Sequence, residues 1–159
     1  MKKFELTSEF ITNIFGTKLF RIKALIEFGN VKAGELGGFV EKEENLSQDG
    51  NAWVYDSARV YDNARVCGDA RVYGNACVCG DACVYGDAGY ATVHGFGSEY
   101  RTTTFFKTKA GDIGVKCGCF YGNLSEFRKK VVETHGETKK AKEYLMLADL
   151  MEFRFSDNS

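Results

Sequence analysis

The stretch VYDNARVCGDARVYGNACVCGDACVYGDA, residues 60–88, returns every six residues to nearly the same phrase. That period constrains the fold more than any other feature of the chain. Val54, Val60, Val66, Val72, Val78 and Val84 are six apart, and Ala52, Ala58, Ala64, Ala70, Ala76, Ala82 and Ala88 keep a second register. Six is a multiple of two, so each valine and each alanine faces one side of an extended chain. It is not a multiple of 3.6, so on a helix the valines would drift around the axis. Gly68, Gly74, Gly80 and Gly86, each followed by Asp or Asn, supply corners. Each unit is therefore a short strand and a turn, which buries its apolar side only by stacking on the next.

The phrase VYGNAC and its neighbours resemble the hexapeptide repeat of left-handed parallel β-helices, an inward aliphatic followed four positions later by a small residue. The resemblance implies a mainly β chain with a short left-handed parallel β-helix of about three coils, eighteen residues each. The alanine register continues upstream through Leu46 and Val40, whereas Lys42 and Gln48 interrupt the valine register and Tyr90 closes it. The first and last coils are thus expected to be imperfect. The flanking FRIKALIEFGNVKAGELGGFVEKEENLSQDGNAWVYDSA and TTTFFKTKAGDIGVKCGCFYGNLSEFRKKVVETHG are similar to uncharacterised bacterial and phage members, often labelled transferases.

Three segments are expected: an N-terminal β cap over 1–36, the repeat over 37–94, and a C-terminal cap over 95–159. In the first, residues 3–6 and 17–28 read as strands. In the last, TTTFFKT, the turn KAGD and IGVKCGCF predict a β-hairpin. Two helices follow. Asn123 caps the first, with Glu126 in capping-box position, Leu124, Phe127 and Val131 as its buried stripe and Gly136 as its stop. Ala141, Tyr144, Leu145, Ala148 and Met151 line the second, and EFRFS reads as a final strand.

An eighteen-residue coil sorts the outward residues into three faces. Trp53, Tyr55, Arg71 and Tyr73 share the first, with Tyr55 over Tyr73 and Trp53 over Arg71 at about 4.8 Å. Aromatics and Arg are enriched at protein interfaces, so these four form the candidate binding surface. Arg59, Tyr61, Cys77 and Cys79 share the second face, and Arg65, Cys67, Cys83 and Tyr85 the third. Their small cysteines would let another subunit approach. Self-association is therefore expected, and the resemblance implies a trimer.

For chemistry, the family's known acyltransferases use acetyl-CoA and a histidine base. His94, in TVHGFGS, is the alternative catalytic residue on that reading, with acetyl-CoA as its co-substrate. His135 sits at a helix end, where a cation is favoured structurally. No loop interrupts residues 50–91, which weighs against catalysis. The leading expectation is a non-catalytic interaction protein with no cofactor, of phage or prophage origin, presenting a rigid face to a host macromolecule or small ligand and opposing host defence. Cys77/Cys79 and Cys117/Cys119 lack the two-residue gap of common zinc sites, and Asp69, Asn75, Asp81 and Asp87 are explained by turns, so no metal is expected. HGFGS is too short for a phosphate loop.

A formal net charge of -1 and a pI near 6.1 argue against general attraction to nucleic acid. MKKFELTSEF lacks the apolar run of a signal peptide, and nothing reaches membrane-spanning length. Four of the six cysteines occupy slots that Tyr or Arg fills in neighbouring repeats, consistent with a reduced, cytoplasmic protein.

Overall fold

The computed structural model describes residues 2–86, 89–96 and 101–156, without the side chain of Arg101. Asp87 and Ala88 of the repeat, and Gly97 and Ser98 of the glycine-rich stretch, lie outside the described residues.

The repeat forms six two-residue strands: β4 (Trp53–Val54), β5 (Arg59–Val60), β6 (Arg65–Val66), β7 (Arg71–Val72), β8 (Cys77–Val78) and β9 (Cys83–Val84). Each pairs in parallel with the strand eighteen residues away: Val54 with Val72, Val60 with Val78 and Val66 with Val84. The chain thus steps sideways by one strand every eighteen residues, visiting three stacks in turn. Every valine and alanine of the described register is at most 1% exposed, which makes one continuous apolar interior. A left-handed backbone recurs at every sixth residue: Gly50, Asp56, Asp62, Gly68, Gly74 and Gly80. At Gly68 a Cβ would collide with the carbonyl oxygen of Tyr85 in the next layer. Asp56 and Asp62 tolerate φ values of 54° and 57° because their carboxylates accept the amides of Gly74 and Gly80 one layer on.

The eighteen-residue step does not extend upstream. In β3 (Leu36–Val40), Val40 pairs with Val60, twenty residues away, and Leu46 bridges to Val66 at the same interval. The 3-10 turn Glu43–Asn45 lies between them. Val40 and Leu46 therefore occupy the inward slots that strict periodicity assigned to Lys42 and Gln48.

The N-terminal cap is an antiparallel hairpin of β1 (Phe4–Thr12), which runs past the expected 3–6, and β2 (Lys18–Ala24), which is shorter than the expected 17–28. It continues through β3 to give the order β1-β2-β3-β5-β8. At the other end the expected hairpin is the centre of a larger sheet. Four antiparallel strands follow in order: β10 (Tyr90–Phe96), β11 (Arg101–Lys107), β12 (Ile113–Cys117) and β13 (Phe120–Asn123). Residues 90–94, assigned above to the repeat, belong to this sheet, with Thr92 opposite Thr104. In β11, Phe106 joins the repeat core and Phe105 the core under the helices, because successive residues of a strand face opposite sides.

Helix α1 (Leu124–His135) starts at Asn123 with a reciprocal capping box to Glu126, as expected. Helix α2 (Lys139–Arg154) buries Ala141, Tyr144, Ala148 and Met151. EFRFS does not form a strand: the helix runs through Arg154, and Phe155 closes it with its ring 7% exposed. The apolar side of the sheet is already covered by α1 and α2, so Phe155 is buried without further strand pairing.

Among the described residues, no helix is long and apolar enough to cross a membrane.

Candidate functional site

The four residues expected to form a docking face divide into two groups. Trp53 does pair in register with Arg71. Its side chain, however, is 0% exposed. Phe28 and Phe4 close over it with edge-on rings at 5.3 and 6.2 Å. Trp53 is therefore a core residue of the N-terminal cap, and its Nε1 is buried without a hydrogen-bond acceptor. Tyr55 is half-buried against the same core, while Arg71 and Tyr73 remain exposed.

The second outward face is also covered. Strand β11 lies against it, and the hydroxyl of Thr104 accepts the amide of Cys77 at 3.0 Å. The room left by Cys77 and Cys79 is filled by the chain's own sheet. Burial pushes the Cys79 thiol up to about 12, partly offset by a hydrogen bond from Tyr61. Burial likewise raises the Cys77 thiol, against the pull of Arg59 and Lys116. Neither sulfur is a ready thiolate nucleophile.

At the edge of this junction, repeat and sheet leave an open groove of about 430 Å³ lined by Asn75, Cys77, His94, Thr102, Lys116 and Gly118. His94 comes from β10 and Thr102 from the antiparallel partner β11, where the two are directly opposite. Their side chains meet, with Nδ1 of His94 3.0 Å from Oγ1 of Thr102. When Nδ1 donates this bond, Nε2 keeps its lone pair for a proton from outside. Lys116 is 7% exposed and donates to the carbonyl of Gly118, which places a fixed positive charge in the groove wall. The N-terminal hairpin reaches the same region, with the Phe15 ring 5.8 Å from the Lys116 ammonium.

Sequence reasoning singled out His94, read Asn75 only as a corner residue and passed over Thr102 and Lys116; the three lie on other segments with no motif linking them to His94. His135 stacks on Tyr144 at 5.9 Å, in keeping with a structural place at the end of α1. Among the described residues no group of three or more His, Cys, Asp or Glu side chains converges as a metal site.

No family model matches the chain. It is 40% identical over 63 residues to the protein "Uncharacterized acetyltransferase YdcK" of Escherichia coli (strain K12), a match covering 35% of this chain and 19% of that protein.

Proposed function

We propose that this chain is an acetyltransferase domain that takes an acetyl group from acetyl-CoA, with His94 as general base. The observation that carries this reading is the imidazole tethered through Nδ1 to Thr102 inside the groove. The partial likeness to a protein named as an acetyltransferase supports it. An acceptor hydroxyl or amine in the groove gives its proton to Nε2 as it attacks the thioester carbonyl, and the imidazolium returns that proton to the departing thiolate. The chain's part is to hold the imidazole in one tautomer and one direction. The proposal includes closure of the three parallel stacks into a left-handed β-helix, supported by the eighteen-residue register and the recurrent left-handed corners. It also includes assembly as a homotrimer, which light scattering tests directly.

Calorimetric titration with acetyl-CoA, together with thiol release in the presence of amine and sugar acceptors, tests the function. Wild type is expected to bind and turn over. His94→Gln is expected to bind but lose turnover by about 10²–10⁴-fold. No acetyl-CoA binding by a folded, assembled protein would overturn the reading.

A second, non-catalytic reading keeps the exposed part of the first face, where Tyr73 is 56% exposed beside Arg71. On that reading the surface docks a protein partner. Capture of the same specific partner by wild type and by Tyr73→Ala plus Arg71→Ala would remove it.

A further inference from the structure

We propose that a second groove, about 370 Å³, binds a phosphorylated, hydroxyl-bearing small molecule such as a sugar phosphate or a nucleotide. Three cations from distant parts of the chain line it: Lys42 after β3, Arg65 of β6, and Lys109 in the turn between β11 and β12. The fold brings them together. The Ala82–Thr108 bridge and the bond from the Lys109 amide to the Asp81 carbonyl, at 2.9 Å, clamp the turn onto a corner of the repeat.

Glu44, Asn63 and Asp81 complete the polar wall, and Ala64, Ala82 and Cys83 line the remainder. Among the described residues, no ion pair joins any of the three cations to a carboxylate. Lys42 instead donates to the Asn63 side-chain oxygen at 3.3 Å. Three cations against two carboxylates leave the concave site with an excess of positive charge, which attracts an anion. A phosphate is the group that satisfies several Lys and Arg donors at once. The two carboxylates would repel a bare anion but accept hydrogen bonds from hydroxyls on the same ligand. The volume lies within the range of small-molecule sites, about 300–1,000 Å³.

This groove shares no lining residue with the His94 groove, so the proposal stands whether or not the chain transfers acetyl groups. Calorimetry on the intact chain would use four probes: glucose 6-phosphate, adenosine 3′,5′-bisphosphate, inorganic phosphate and glucose. At least one of the first two is expected to bind more tightly than phosphate or glucose, and the stronger of them identifies the ligand source. Arg65→Gln plus Lys109→Gln, with circular dichroism and melting temperature unchanged, is expected to weaken that binding by about tenfold or more. Three outcomes would overturn the proposal: neither phosphorylated probe binds, glucose or phosphate binds as tightly, or the double variant binds as wild type does.

Discussion

The ammonium of Lys3 lies 2.8 Å from the carbonyl oxygen of Ala52 and also reaches the carbonyl of Gly50, at 3.3 Å. These carbonyls lie just before β4, the first strand of the repeat, and among the described residues no earlier strand pairs with β4. The neighbouring stack is closed by β3 below β5. Beneath β4 a side-chain cation takes the place of a strand. At the opposite end, Tyr90 donates its hydroxyl to the carbonyl of Arg71 and Thr104 accepts the amide of Cys77. A stacked structure leaves such groups open at both ends, and unpaired buried groups are costly.

Lys3→Met removes the donor and is expected to cost about 1–3 kcal/mol by stranding buried carbonyls. Burial pushes the Lys3 ammonium down from its ordinary 10.5 to about 8, with Asp49 opposing the shift. Between those pH values the unfolded chain holds a proton that the folded chain releases. Unfolding free energy from this residue therefore rises with pH across that window, and is flat below it. The stability gap between wild type and Lys3→Met should widen from pH 7 to 9.5 in urea titrations. A gap indifferent to pH would mean that Lys3 is not buried as a cation.

Trp53 is the only tryptophan in the chain, so its fluorescence reports one site. Emission should be blue-shifted and insensitive to iodide in the folded protein. Trp53→Ala is expected to cost about 3–5 kcal/mol. Trp53→Phe should cost clearly less, because it keeps ring packing against Phe4 and Phe28 and removes the unpartnered Nε1 donor. Ready quenching by iodide would restore Trp53 to the surface.

Gly37 leaves no room for a side chain: a Cβ would sit 2.5 Å from the Val54 carbonyl oxygen and 2.8 Å from Cζ2 of Trp53. Gly37→Ala should force β3 away from the repeat at a cost of about 1–3 kcal/mol. Loss of near-ultraviolet dichroism from Trp53 together with a lower denaturation midpoint is the expected signature.

At the corners, Asp56 combines a left-handed backbone with a carboxylate bonded to the Gly74 amide at 3.2 Å. Asp56→Ala loses the bond and keeps the strain, for about 1–2 kcal/mol. Asp56→Gly loses the bond but relieves the strain, so chemical denaturation should rank it between wild type and Asp56→Ala.

Thiol chemistry separates the cysteines. Cys119 is exposed and Cys79 is 2% exposed with its thiol pushed up to about 12. Iodoacetamide at pH 8, followed by mass spectrometry, should label Cys119 first and spare Cys79 until the chain is unfolded.

The repeat was legible because its cause is local. An inward valine every six residues and a turn between them dictate strand and corner with no distant contact; the eighteen-residue register that pairs Trp53 with Arg71 was implied by the resemblance to left-handed β-helices, and the strand pairing follows it. The capping box at Asn123 and Glu126 was legible for the same reason: the partners are three residues apart. Periodicity does not say what lies on the outside of a stack. Trp53 and Arg71 occupy equivalent outward positions on adjacent strands, yet the first is buried by Phe4 and Phe28, far away in sequence, and the second is exposed. Tyr90 continued the inward register but turned into an antiparallel sheet, because its partner strand β11 outweighed a weakening repeat. The surroundings of His94 arose in the same way. Short-range chemistry along the chain determined the stacked strands, whereas which surfaces remained open was decided by long-range burial, whose free energy depends on area covered and not on position in sequence.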